Sequence, residues 1–134
     1  MSDYRIILAD DHALVREGIK RIIQEDPGLS VVAETGNGLT LLELLKETIP
    51  DMIILDISMP RLWGIEAIKI IKERYPTIKL LVLTMHKNKE YLYVAMNSGA
   101  DGYVLKEDAN EILHSAIKTI RRGQTFLSPL MLEK

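Results

Sequence analysis

Five times along this chain a short apolar run gives way to a stretch of helical periodicity, and few folds accept such an alternation. The runs are Arg5 to Ala9, Ser30 to Glu34 (through Val31, Val32 and Ala33), Met52 to Leu55, Leu80 to Leu83 and Tyr103 to Leu105. Mostly apolar and only a few residues long, they suit strands buried on both faces. Between and after them, apolar residues recur at helical spacing. The sets are Val15, Ile19, Ile22 and Ile23; Leu41, Leu42, Leu45 and Ile49; Ile65, Ile68 and Ile71; Leu92, Ala95 and Met96; and Ile112, Leu113, Ala116, Ile117 and Ile120. Asp26-Pro27-Gly28, Pro50, Pro76 and Gly123 punctuate them, and Asp108 with Glu111 has capping-box spacing for the last helix. Right-handed crossovers turn this order into one arrangement: an α/β, doubly wound (βα)5 fold with a five-stranded parallel sheet covered by helices on both faces.

Length and composition bound the rest. At 134 residues the chain suits one domain, predicted over residues 1–122, with residues 123–134 as a tail too poor in apolar material to fold alone. A net charge of -2 lacks the electrostatic footprint of a nucleic-acid binder. The absence of cysteine removes disulfides, thiolate metal sites and thiol catalysis, and suits a reducing compartment. No apolar run approaches a membrane span and the start, Met-Ser-Asp-Tyr-Arg, is no signal peptide, so the expected address is the cytoplasm, with no membrane partner.

In open α/β sheets, ligands bind at the carboxyl ends of the strands. Four of the five predicted strands deliver a functional group there: Asp10 and Asp11, Asp56, Thr84, and Lys106. Capping and turns explain loop aspartates readily, but not a hydroxyl and an amine at the two remaining exits. Three carboxylates in one crevice repel each other, so the site should hold an extra proton or bind a cation. Oxygen ligands with room for water fit Mg²⁺. A carboxylate can also attack phosphorus, forming an aspartyl-phosphate, and a metal, an ammonium and a hydroxyl neutralise the oxygens of a transferring phosphoryl group.

With Met59-Pro60 and Gly64 behind Asp56, and Gly102-Tyr103 leading to Lys106, these residues resemble the receiver domain of two-component response regulators, over nearly the whole chain. The resemblance implies a flavodoxin-like, CheY-like fold in which Asp56 accepts a phosphoryl group from a sensor histidine kinase. It implies Mg²⁺ held by Asp11, Asp56 and the backbone carbonyl of Ser58, with Asp10 acting through metal-bound water. Thr84 and Lys106 would grip the phosphoryl oxygens, and Tyr103 would be the switch aromatic that turns inward when Thr84 moves. Dimerisation would use the responsive face, residues 89–122. Met85-His86, Ser98-Gly99-Ala100-Asp101-Gly102-Tyr103 and Gly123-Gln124-Thr125-Phe126-Leu127-Ser128-Pro129 are similar to NarL/LuxR-type regulators. Those continue into a helix-turn-helix DNA-binding domain, so DNA would be met only through a domain absent from this chain, with residues 123–134 as the start of a linker. A stand-alone receiver is the alternative.

Two positions depart from the family pattern. Trp63 stands where a small polar residue is common, and Glu107 follows Lys106 where many receivers have a cis proline. His12 is read as a helix-start residue near the site mouth, in preference to a metal ligand. His86 and His114 are read as solvent-facing or interface residues. Gly36-Asn37-Gly38 is a turn, and Arg121-Arg122 a helix C-terminal charge pair. An aspartate-nucleophile phosphatase is the competing class, but adjacent acids on the first strand and no room for a cap insertion count against it. No independent turnover substrate is expected.

Overall fold

Parallel pairing runs through the whole sheet. The computed structural model describes residues 3–59 and 64–132. Its strands and helices alternate as β1 (Tyr4–Ala9), α1 (Ala13–Gln24), β2 (Leu29–Thr35), α2 (Gly38–Leu45), β3 (Met52–Leu55), α3 (Gly64–Arg74), β4 (Lys79–Thr84), α4 (Lys89–Ser98), β5 (Gly102–Leu105), α5 (Ala109–Arg121) and β6 (Phe126–Leu127). A 3-10 turn, Lys106–Asp108, joins β5 to α5, and a second, Pro129–Leu132, follows β6.

The strand order is β2-β1-β3-β4-β5-β6. After β2 the chain crosses to the other side of β1, so winding reverses between β1 and β3 and a crevice opens where their carboxyl ends diverge. Register aligns the strand exits: Ala9 pairs with Leu55, and Thr84 with Leu105. The residues that follow therefore meet at one level.

Two apolar layers sandwich the sheet. On one side α2, α3 and α4 bury Leu41, Leu45, Ile65, Ile68, Ile71, Leu92 and Ala95 against Ile7, Ile53, Leu55 and Val82. On the other, α1 and α5 bury Ile19, Ile23, Leu113, Ala116, Ile117 and Ile120 against Ile6, Leu8, Ile54, Leu81 and Leu83. The central strand β3 is buried along its full length, which is why its sequence is apolar without alternation.

Three details differ from the sequence expectations. Helix α2 ends at Leu45, so Ile49 lies beyond it, 48% exposed. There the Ile49 carbonyl accepts a hydrogen bond from the Arg5 guanidinium at 3.2 Å. Asp108 makes no capping bond to α5; its carboxylate accepts the Ser128 hydroxyl instead. The third difference is a sixth strand. Residues 126–127 pair with β5, and Ser128 and Met131 are buried, so the supposed tail is part of the folded unit. The segment is too short to carry a strand's periodicity and gains its order from β5's unpaired backbone.

No peptide bond among the described residues is cis, including Lys106–Glu107. Pro60 and Trp63 lie outside the described residues. No helix among the described residues is long and apolar enough to cross a membrane.

Candidate functional site

The ladders that join β1 to β2 and to β3 continue past the strand ends and carry the acids. The Asp56 N–H donates to the Ala9 carbonyl at 2.9 Å, and the Asp10 N–H to Thr35 O at 2.9 Å. Both side chains are buried, a position an acid holds only with compensation. Lys106 supplies it. Its Nζ lies 2.7 Å from Asp10 Oδ2 and 2.9 Å from Asp56 Oδ2. Burial works against the ammonium charge, yet the hydrogen bonds and charges of Asp10 and Asp56 outweigh it and hold the Lys106 pKa above the ordinary lysine value. A recess lined by Val15, Met85, Lys106 and Glu107 adjoins this residue.

The acids remain in excess of this cation. Asp10, Asp11, His12 and Asp56 can each offer one ligand atom, all within 4.8 Å of one another. Three carboxylates against one ammonium leave net negative charge, and the hard oxygens suit Mg²⁺, which typically takes one or two carboxylates and keeps several waters. The donor set fits that ion. His12 stands at the N-cap of α1, as expected. Its N–H donates to Asp10 Oδ1 at 2.8 Å, and Nδ1 lies 3.3 Å from Oδ1 of both Asp10 and Asp11, so it braces the acid pair from outside. Ser58 turns back on Asp56, its N–H donating to Oδ1 at 3.0 Å.

Thr84, fully buried at the end of β4, uses its hydroxyl to accept the His86 N–H at 3.2 Å. Tyr103 on β5 is fully buried, with its phenol donating to the His86 carbonyl at 2.8 Å. Burial foremost, then the Asp56 charge, raises its pKa well above the usual tyrosine range, so it stays a donor. The ring is already inward in this arrangement.

His86 thus has a larger part than a solvent-facing residue. Its ring stacks on Tyr91 of α4, centroids 4.5 Å apart at 28°, and Nε2 lies 2.6 Å from Ser58 Oγ. One residue ties the loop after Asp56 to the β4 exit, α4 and β5. The spacing of two residues after both Asp56 and Thr84 was the available signal. His114 is half-buried between α5 and the end of α1, with Nε2 3.5 Å from Glu25.

Arg16 also escaped the sequence reading. Its Nη1 donates to the Asp10 carbonyl at 2.5 Å and its Nε to Glu34 at 3.1 Å. Lys20, one turn along α1, meets the same Glu34 at 2.8 Å, and that hydrogen bond is the main reason the Glu34 pKa falls below its usual value. The cue was two cations four residues apart on the helix facing β2.

The family model described as response regulator receiver domain matches residues 6–118. Among curated relatives, the transcriptional regulatory protein DegU of Brevibacillus brevis is 39% identical over 125 residues, covering 93% of this chain and 53% of that protein. The chain spans about half the length of the curated relatives it matches. Among solved structures, a LuxR-family two-component response regulator from Aurantimonas sp. SI85-9A1 superposes with a TM-score of 0.92 at 38% identity, covering 97% of this chain and 93% of that one. The isolated receiver domain of RcsB from Salmonella enterica serovar Typhimurium, with the phosphomimetic BeF3-, gives a TM-score of 0.90 at 30% identity, covering 98% and 100%.

Proposed function

The chain belongs to the response regulator receiver domain family, of the NarL/LuxR type, and from that premise we propose that Asp56 takes the phosphoryl group from a phosphohistidine of a sensor histidine kinase. The observation that carries this is the Lys106 ammonium bridging Asp10 and Asp56 at 2.7 and 2.9 Å. It marks Asp56 as the acid held between a cation and the other carboxylates. A carboxylate oxygen of Asp56 attacks phosphorus, the phosphorus–nitrogen bond breaks, and the imidazole leaves with that electron pair and takes a proton from solvent.

Asp11, Asp56 and the Ser58 carbonyl would hold Mg²⁺, with Asp10 contacting it through water. When bound, the ion neutralises charge on the acids and the incoming phosphoryl oxygens. Lys106 donates one N–H to Asp56 and holds Asp10 as an ion pair, so its three N–H donors leave capacity for a phosphoryl oxygen. The Thr84 hydroxyl accepts the His86 N–H on one lone pair and keeps its own O–H to donate to another phosphoryl oxygen. Because His86 rests on Thr84 and also touches Ser58, Tyr91 and Tyr103, a movement of Thr84 toward that oxygen favours a different arrangement of α4, a population shift set by how much better the phosphoryl group contacts the new state. The downstream output is dimerisation through residues 89–122 and control of transcription through a C-terminal DNA-binding domain, in the cytoplasm.

Acetyl phosphate with Mg²⁺, followed by intact mass, tests the acceptor. One phosphoryl group per chain, absent in Asp56→Asn, is expected; repeated turnover or no uptake overturns the reading. Mg²⁺ alone should raise the melting temperature, with a smaller rise in Asp56→Asn.

A further inference from the structure

The segment after α5 is hooked to the first half of β5, the strand that leads into Lys106. Phe126 N–H donates to Asp101 O at 3.2 Å, Ser128 N–H to Tyr103 O at 2.9 Å, and Met131 N–H to Ser128 O at 2.9 Å. Met131 enters the apolar layer that holds Tyr103 and Leu105. Ser128 has no exposed surface, and a hydroxyl so buried needs a partner. Its partner is the carboxylate of Asp108.

Asp108 is the last residue of the 3-10 turn that begins at Lys106, and the Ala109 N–H closes that turn on the Lys106 carbonyl. The turn sets where the Lys106 Cα sits, hence where its ammonium points. A helix N-cap aspartate would ordinarily spend its side chain on the helix's own amides. Here Asp108 makes no such bond and is committed to Ser128, twenty residues on. Glu107 of the same turn meets Lys87 in a surface ion pair, at 2.8 Å between exposed side chains. The buried contact on the turn is that of Asp108 with the segment after α5.

We propose that Ser128 is a positioning residue for Lys106: through Asp108 it fixes the turn that aims the ammonium at Asp10 and Asp56. This rests on the assignment of Asp56 as the phosphoryl acceptor. Asp10, Asp11 and Asp56 follow the ends of β1 and β3, whose backbone is positioned without this turn, so metal binding and the placement of the ammonium can be separated.

The experiment follows phosphoryl uptake from acetyl phosphate by intact mass, alongside the Mg²⁺ dissociation constant and hydrogen exchange of the unphosphorylated chain. Ser128→Ala and Asp108→Ala should each slow uptake roughly tenfold, short of the roughly hundredfold that a full 1 Å misplacement can cost. Mg²⁺ affinity should not weaken, and amides at residues 106–109 should exchange faster. The double variant should be no slower than the slower single one, because both remove one contact, and Ser128→Thr, which keeps the hydroxyl, should recover part of the rate. Uptake at the parent rate, or uptake and Mg²⁺ affinity falling together, or effects that multiply in the double variant, overturns the proposal. If the parent takes up no phosphoryl group, the acceptor assignment fails instead, and exchange at residues 106–109 still decides whether Ser128 holds the turn.

Discussion

The two helices that flank β5 in sequence, α4 and α5, are anchored very differently. Helix α5 buries Ala109, Leu113, Ala116, Ile117 and Ile120 along one stripe. Helix α4 buries only Leu92 and Ala95, and turns Tyr93 and Val94 to solvent. A stripe of aliphatic side chains costs several kcal/mol to lift from the sheet, whereas two contacts leave a helix that can shift without unfolding the domain. The weaker helix is also the one whose first turn carries Tyr91, stacked on His86. Of these two helices, the one with the smaller buried stripe is where a signal from Asp56 would arrive.

The contrast can be broken by mutation. Leu113→Ala in α5 should cost about 3–4 kcal/mol in urea unfolding, and Leu92→Ala in α4 about 2 kcal/mol, because a loosely held helix can settle into the space vacated. The reverse order would refute the comparison. The glycines that end the two helices sharpen it. Gly99, at φ 118°, would place a Cβ 2.6 Å from Lys72 Cγ, while Gly123, at φ 87°, has open space around it. Gly99→Ala should therefore lose about 2 kcal/mol, strain plus displacement of Lys72, and Gly123→Ala about 1 kcal/mol from strain alone. Tyr93→Ala should leave stability within about 0.5 kcal/mol of the parent.

The smallest effect concerns pH on the α1 side. Glu34 has its pKa lowered by Lys20 and Arg16, so its contribution is full above the unfolded value of 4.5 and is lost as pH falls through the lower folded value. Unfolding titrations below that pH should show a shallower decline for Glu34→Gln than for the parent.

The layout of sheet and helices was legible because each β-run was short and apolar and each helix kept its stripe. The convergence of Asp10, Asp56 and Lys106 was legible too, since parallel pairing in register makes strand exits neighbours. What escaped depends on partners far apart in sequence. Arg16 acts on a backbone carbonyl, which leaves no mark in residue type. His86 is defined by what its ring meets in the loop after Asp56 and in the first turn of α4. The capping-box spacing of Asp108 and Glu111 was misleading, because a tertiary partner, Ser128, outcompeted the local amides for the carboxylate.

The two-residue strand β6 also bears on where this chain can be shortened. Phe126 and Leu127 cover the outer backbone of Gly102 and Tyr103, the flank of the sheet that would otherwise offer donors and acceptors to another molecule. A version trimmed at Gly123 would keep every α-helix but uncover that edge and remove Met131 from the core, inviting self-association and aggregation.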